Sequence, residues 1–168
     1  YGVPLTEDTI EACKNADAVL LGAVGGPKWD NVDPSIRPEK AILGLRKELG
    51  LFCNLRPVKI YPSLQEYSPL KKELVQDVDF VIVRELTGGI YFGEREEAQG
   101  EGANEFAWDK ETYSRYEVER IMDIAMETAR KRNKKVVSVD KANVLASSRL
   151  WRKIAQEKAE ANPDTATD

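Results

Sequence analysis

Residues 78–83 read VDFVIV and are followed at once by RELTGGIYFGE, residues 84–94. An apolar run of this length predicts a strand buried on both faces of a sheet, because half-buried strands alternate apolar and polar residues instead. The run ends on Arg84, and the paired glycines beyond it predict a turn. Ligands of open α/β sheets bind beyond the carboxyl ends of strands, so Arg84 and Tyr91 are candidate site residues.

Helical and strand patterns alternate on both sides of this stretch, which predicts an α/β sheet covered on both faces. Strands are predicted at residues 17–26 (DAVLLGAVGG), 51–61 (LFCNLRPVKIY) and 134–140 (KKVVSVD). Helices are predicted at residues 5–16, with Thr6 as N-cap, and at 37–50 and 68–77. A further helix is predicted at residues 117–132 from an apolar stripe of Val118, Ile121, Met122, Ala125 and Ala129. The last predicted helix covers residues 147–161, with Ser147 or Ser148 as N-cap. Residues 93–116 are polar and glycine-bearing, which predicts a loop or protruding arm outside the core.

The composition is that of a globular protein, with 42% hydrophobic and 32% charged residues among 168. The net charge of -4 argues against a general nucleic-acid binder, and no apolar stretch is long enough to span a membrane. Cys13 and Cys53 are far apart and in no CxxC arrangement. We therefore expect reduced thiols and a cytoplasmic location.

The chain contains no histidine. The commonest general base and metal ligand is thus missing, together with every Ser–His or Cys–His catalytic scheme. Acid–base chemistry would have to use Lys, Tyr, Asp or Glu. Asp140 follows a predicted strand and could bind a metal, but a single carboxylate does not make a metal site.

Adjacent glycines follow the first predicted strand in GAVGGPKWD, residues 22–30. Backbone amides at such a turn can approach a phosphate or a cofactor closely. The stretch matches neither the GxGxxG fingerprint nor the P-loop, so from its residues alone a plain tight turn and a cofactor contact both remain open.

The helix predicted at residues 37–50 carries Glu39, Ile42, Leu43 and Arg46 along one face, at spacing i, i+3, i+4, i+7. This face would suit a ligand that is apolar at one end and anionic at the other. An ordinary, partly exposed helix with its charges in solvent is the alternative.

Arginines occur on that helix, on a strand and at a strand end, as Arg46, Arg56 and Arg84. Guanidinium groups bind carboxylates in a bidentate manner, so three that converge would recognise a di- or tricarboxylate; taken singly, each is an ordinary surface cation. Tyr91 and Lys141 are the candidate proton carriers, with a packed aromatic and a solvated lysine as the alternatives.

Four segments together resemble the bacterial 3-isopropylmalate dehydrogenases, which are NAD-dependent β-decarboxylating enzymes of leucine biosynthesis. The segments are LGAVGGPKWD (21–30), RPEKAILGLRKELGLFCNLRPVK (37–59), VRELTGGIYFGE (83–94) and SVDKANVLASSRLWR (138–152). The resemblance covers almost the whole chain, in the same order and at compatible spacing. It implies an isopropylmalate dehydrogenase-like αβα sandwich of non-Rossmann type, incomplete here because both ends of the enzyme are missing.

The resemblance also implies a role for each matched position. Tyr91 would be the acid of the decarboxylation half-reaction, and Lys141 would assist deprotonation of the substrate hydroxyl from the partner subunit of a homodimer. Arg46, Arg56 and Arg84 would bind the malate carboxylates, and Ile42 and Leu43 the isopropyl group. NAD would be lined by Gly26, Pro27, Lys28, Trp29, Asp30, Asn31, Glu39, Asn143 and Val144.

The same resemblance implies a bound Mg or Mn ion, whose aspartate ligands are expected beyond Asp168 and not in this chain. Residues 1–50 would form part of a cofactor-side domain, and residues 51–168 a substrate and dimerisation domain. Because the metal carboxylates are absent, we expect the isolated chain to be inactive in NADH formation with isopropylmalate. The alternatives are a tartrate/malate or homoisocitrate dehydrogenase, or a catalytically silent dimerisation scaffold.

Overall fold

A computed structural model describes residues 2–168 and shows a mixed α/β chain in two compact units, which meet in sequence between Phe52 and Cys53. Among these residues the strands form three separate two-stranded sheets. The predicted α/β class is confirmed as an incomplete domain, whereas a single sheet covered on both faces is not present in this part of the chain.

The first unit contains helices α1 (Glu7–Lys14) and α2 (Glu39–Glu48), with 3₁₀ turns at Pro27–Trp29 and Pro34–Ile36. Thr6 caps α1 as predicted, since its hydroxyl accepts a hydrogen bond from the Thr9 backbone N–H at 3.3 Å. The chain leaves α2 through Gly50, whose φ of 61° suits a residue without a side chain. Local capping chemistry therefore places both helices.

The predicted strand at residues 17–26 is wrong, because this segment has no regular secondary structure. Its apolar side chains are open to solvent, and Leu20 is fully exposed. A strand requires a neighbour for its backbone N–H and C=O groups. Within the described part of the first unit no neighbouring strand pairs with the segment.

The second unit begins with strands β1 (Cys53–Lys59) and β2 (Asp79–Glu85), which pair in antiparallel fashion and are joined by a 3₁₀ turn at Pro62–Tyr67 and helix α3 (Lys72–Val75). The predicted burial of β2 on both faces is wrong, since Phe80 and Ile82 remain exposed. Their side chains share the face opposite Glu85, the residue that bonds to the long helix below. One covered face explains why the apolar run is only half buried.

Residues 93–116 contain a hairpin of β3 (Arg95–Gln99) and β4 (Phe106–Asp109), with an irregularity in register between Glu96 and Gln99. The side chains of β4 are all exposed, Phe106 and Trp108 included. The segment predicted as a loop or protruding arm outside the core is thus in part an exposed β-hairpin. Periodicity does not reveal its two strands, because they are ordered by cross-strand pairs.

Helices α4 (Arg115–Arg130) and α5 (Ala146–Glu160) form the core of the second unit. Its buried cluster consists of Val118, Met122, Met126, Ile154 and Ala155. The predicted stripe is buried except for the half-buried Ala125. Helix α4 begins two residues before the predicted start, because Ser114 and Glu117 form a reciprocal capping box.

Helix α5 starts at Ala146 with Leu145 as N-cap, so the prediction of a Ser147 or Ser148 cap is wrong. The strand predicted at residues 134–140 is reduced to β5 (Lys135–Val136), which pairs in parallel with β6 (Ala166–Thr167). Val139 is 85% exposed, so the apolar part beyond β5 has lost the packing that would extend the strand. No helix among residues 2–168 is long and apolar enough to cross a membrane.

Candidate active site

Two of the candidate arginines share one face of the β1–β2 pair. Arg84 lies opposite Asn54, and Arg56 lies two residues further along β1, opposite Ile82. Directly opposed residues of antiparallel strands point to the same side, so Arg56 and Arg84 are diagonal neighbours. The Arg56 Nε donates a 2.7 Å hydrogen bond to Asn54 Oδ1. The sheet therefore presents two guanidinium groups on its uncovered face.

Tyr91 returns to this face from the turn after β2. The Arg84 guanidinium carbon lies 5.1 Å from the centre of the Tyr91 ring, a cation–π contact. Arg95 holds the Tyr91 backbone, since its guanidinium donates to the carbonyl of Tyr91 at 2.7 Å and to that of Ile90 at 3.1 Å. Tyr91 is 59% exposed, so this residue is open to solvent.

The turn between Arg84 and Tyr91 is closely packed. Gly89 has a φ of 79°, and a Cβ at this position would lie 2.5 Å from the Tyr113 hydroxyl. Its backbone N–H donates to the Thr112 carbonyl at 2.8 Å. The Tyr113 ring meets Trp151 edge-on at 5.3 Å, and burial raises the pKa of the Tyr113 hydroxyl. The paired glycines therefore allow the turn to lie flat against a rigid aromatic pair.

Lys141 lies in a second turn, between β5 and α5. Its carbonyl accepts the backbone N–H groups of Val144 at 3.0 Å and Leu145 at 2.9 Å. Lys141, Asn143 and Val144 are exposed. Over residues 2–168 the structure contains no hydrogen bond or ring contact between Lys141 and Tyr91, so their meeting stays a prediction.

The Lys141 turn is fixed by Asp140. The Asp140 carboxylate accepts two hydrogen bonds from the Arg152 guanidinium, at 2.7 and 2.8 Å, and one from the Ala142 backbone N–H at 2.9 Å. The Arg152 hydrogen bond, followed by that of the Ala142 N–H, holds the pKa of the Asp140 carboxyl below its ordinary value of 3.8. The charged carboxylate thus stabilises the folded turn.

Replacing Asp140 by Asn should lower thermal stability in a pH-dependent manner. A depressed pKa in the folded state means that the charged form contributes stability above the unfolded-state pKa near 3.8. That contribution is lost as the pH falls through the lower, folded-state value. We expect the gap in Tm between the protein and Asp140→Asn to be constant from pH 5 to 8, on the order of a few degrees, and to narrow progressively as the pH falls below 3.8.

The matched control for this series is Glu127→Gln, which removes an exposed ion pair with Lys131 within one helix. Its effect on Tm should be small throughout. A gap for Asp140→Asn that persists unchanged at pH 3 would contradict the assignment of the stabilisation to the carboxylate charge.

The glycine segment of the first unit forms a small cavity of about 310 Å³. The cavity is lined by Gly26, Trp29, Asp30, Arg37 and Glu39. Gly25 has a φ of 92°, and its missing side chain leaves room for the Glu39 carboxylate. A space of this size accommodates part of a dinucleotide, such as one ring with its ribose, and not the whole.

The remaining candidates of the first unit surround this cavity or lie on α2. Lys28 Nζ lies 4.9 Å from the centre of the Trp29 ring, next to Pro27, and Asn31 is exposed. Ile42, Leu43 and Arg46 are half-buried on α2, while Leu45 is buried and anchors the helix. The convergence of Arg46 with Arg56 and Arg84 stays a prediction.

The described residues do not include a set of ligands for a divalent metal ion. Among residues 2–168 no three Cys, Asp or Glu side chains are grouped so that they could hold a metal ion. Both oxygens of Asp140 already bind Arg152. The described residues therefore do not fit a metal ion by themselves.

One site residue escapes sequence reasoning. Glu85 follows Arg84 directly, yet its side chain is 1% exposed and bonds to Arg120 on α4. The acid at a strand end was visible in the sequence, whereas nothing local connects it to an arginine 35 residues away.

Comparison with known proteins places this geometry in a family. The model of the isocitrate/isopropylmalate dehydrogenase family matches residues 1–167. The 3-isopropylmalate dehydrogenase of Heyndrickxia coagulans is 60% identical over 163 residues, covering 97% of this chain and 44% of the relative. That of Bacillus caldotenax is 59% identical over 167 residues, covering 99% and 45%.

Solved structures agree with the sequence relatives. An isocitrate dehydrogenase from Methylococcus capsulatus matches with a TM-score of 0.72 and 28% identity, covering 99% of this chain and 46% of that one. A β-decarboxylating dehydrogenase from Thermococcus kodakarensis matches with a TM-score of 0.68 and 34% identity, covering 99% and 43%. The chain spans less than half the length of these relatives, and it belongs to the isocitrate/isopropylmalate dehydrogenase family.

Proposed function

We propose that this chain is part of an NAD-dependent 3-isopropylmalate dehydrogenase of leucine biosynthesis. The whole enzyme would convert 3-isopropylmalate to 2-oxoisocaproate by oxidative decarboxylation, as a cytoplasmic homodimer. The names of relatives about 60% identical to the chain support this substrate. The other support is the chemistry of the residues on the β1–β2 face.

The observation that carries the proposal is the grouping of Arg56, Arg84 and Tyr91 on one open face. The substrate is a dianion, and two guanidinium groups at diagonal positions can each bind a carboxylate through paired hydrogen bonds. The exposed Tyr91 packs its ring against the Arg84 guanidinium. A phenol beside a bound carboxylate is placed to return a proton to the enol that loss of carbon dioxide leaves.

NAD would be bound by the segment from Gly26 to Asn31, by Glu39, and by Asn143 and Val144. The cavity bounded by Gly26, Trp29 and Glu39 would receive its nicotinamide end. When bound, NAD accepts the hydride from the carbon that bears the substrate hydroxyl. Lys141 of the partner subunit would assist removal of the hydroxyl proton, and Mg or Mn would bind aspartates outside this chain.

A full-length chimaera tests the proposal. In it, this chain replaces the aligned stretch of the Heyndrickxia coagulans enzyme, which is 60% identical. We expect NADH formation with NAD, Mn and 3-isopropylmalate at a kcat/KM within about tenfold of the parent enzyme. Preference for tartrate, malate or homoisocitrate would support the neighbouring dehydrogenases, and a folded dimer without turnover would support a dimerisation scaffold.

Leu43 provides a prediction about substrate choice. Exchanging it for the near-isosteric but polar Asn should lower kcat/KM for 3-isopropylmalate by about 10–100-fold, because the isopropyl group would lose an apolar wall. Activity with malate, which lacks that group, should change by less than about threefold. The matched control is Leu43→Met, which keeps the wall apolar. An equal loss with both substrates would contradict the assignment of Leu43 to the isopropyl group.

A further inference from the structure

We infer that Glu85 is a positioning residue, which fixes the Arg84–Tyr91 turn to helix α4 and so sets the geometry of the reprotonating acid. This inference rests on the proposed function. It concerns a residue that touches neither substrate nor cofactor in that proposal, because Glu85 lies on the covered face of β2, opposite the face of Arg84.

Every oxygen of the Glu85 carboxylate is used within the turn or on α4. Oε1 accepts a 2.5 Å bond from Arg120 and a 2.9 Å bond from the Thr87 hydroxyl. Oε2 accepts the backbone N–H of Gly88 at 2.6 Å. The carboxylate thereby joins the strand end, the turn and the helix at one point.

A buried charge at this point requires a reason. An isolated carboxylate is costly to bury, and its pairing with a helix-borne arginine offsets that cost without adding a clear gain over apolar packing. Arg120 is itself held, because its guanidinium lies 4.9 Å from the centre of the Tyr116 ring and also contacts the Thr87 hydroxyl. The pair therefore provides directional contacts, which a hydrophobic substitute would lack.

These contacts control the part of the chain that carries the site. Gly88 is bonded to Glu85, and Gly89 is bonded to Thr112 and packed on Tyr113, so the backbone before Tyr91 is fixed from two sides. If the bonds to Glu85 were lost, the turn would keep its contacts with residues 112–113 and the bonds from Arg95 to the carbonyls of Ile90 and Tyr91. Tyr91 would then lie under Arg84 in a smaller fraction of molecules, and protonation would slow while carboxylate binding was largely kept.

The test uses the full-length chimaera with Glu85→Gln, which keeps the size of the side chain but puts an NH₂ group against a donor, either Arg120 or the Gly88 N–H. We expect kcat for 3-isopropylmalate to fall by about 10–100-fold, with KM for NAD within about twofold of the unsubstituted chimaera. Thr87→Val, which leaves the Glu85–Arg120 pair in place, should lower kcat by about two- to fivefold. Asp123→Asn, which removes an exposed α4–α5 ion pair, should leave kcat unchanged.

A double-mutant cycle with Tyr91→Phe separates positioning from a merely structural role. If Glu85 acts through the Tyr91 hydroxyl, Glu85→Gln should lower kcat by no more than about threefold once that hydroxyl is gone. Equal losses in both backgrounds would overturn the inference, and so would full activity of Glu85→Gln. If Glu85→Gln does not fold, the Thr87→Val cycle with Tyr91→Phe decides instead, because the loss caused by Thr87→Val should disappear once the Tyr91 hydroxyl is gone and an equal loss in both backgrounds would overturn the inference. An inactive unsubstituted chimaera would instead count against the proposed function.

Discussion

Replacing Arg84 by Gln in the full-length chimaera should lower kcat/KM for 3-isopropylmalate by about 100–1000-fold. Gln retains a donor but has neither the charge nor the fork that binds a carboxylate through two parallel bonds. It also cannot make the cation–π contact with the Tyr91 ring at 5.1 Å. Both substrate binding and placement of the acid should suffer, so KM should rise and kcat should fall.

The companion variants separate these two contributions. Arg84→Lys keeps the charge above the ring and should restore part of kcat, while KM stays high because an ammonium group binds a carboxylate as a point charge. Arg115→Gln, which removes surface pairs with Glu119 and Glu157, is the control for loss of an arginine and should leave both constants unchanged. Steady-state kinetics with saturating NAD would check each value. A loss below about tenfold for Arg84→Gln would contradict its role as a carboxylate ligand.

The helices were predictable because their signals are local. Thr6 caps α1, and a periodic apolar stripe defines α4. The Ser114–Glu117 capping box is a further local signal, and it accounts for the start of α4 two residues before the predicted one. The register of β1 with β2 was not predictable, but alternation correctly put Asn54 and Arg56 on one face. That alternation is the reason why the face of β1 that carries Arg56 could be predicted.

The failures have a common physical cause. The apolar segments around Leu20 and Val139 carry strand patterns but remain exposed, because strand burial depends on neighbours that lie elsewhere in sequence. The same non-locality hid Glu85, whose partner Arg120 is on α4. A sequence pattern shows which secondary structure one segment prefers, whereas the residues that pack against that segment lie at distant positions in the sequence.

The end of β2 and the turn between β5 and α5 are built in the same way. Arg84 precedes Glu85, and Lys141 follows Asp140; each of these acids caps a nearby backbone N–H and pairs with an arginine on α4 or α5. The long side chain of a lysine or arginine is flexible, so it loses conformational entropy when it binds a ligand. When the adjacent backbone is already fixed to a helix, ligand binding has less main-chain entropy left to remove.

Replacing Tyr91 by Phe should remove the proton donor while preserving the ring under Arg84. Phe supports the same cation–π contact, so the guanidinium should stay in place and KM for 3-isopropylmalate should change by less than about threefold. In contrast, kcat should fall by about 100-fold or more, which lies within the range that general acid catalysis contributes. Tyr91→Leu removes both ring and hydroxyl and should raise KM in addition.

Rates of NADH formation and of 2-oxoisocaproate release, measured together, check the step. If Tyr91 is the acid, product release should slow at least as much as NADH formation does. A normal kcat in Tyr91→Phe, or a rise in KM equal to that of Tyr91→Leu, would mean that the ring supports Arg84 and that the proton comes from another group.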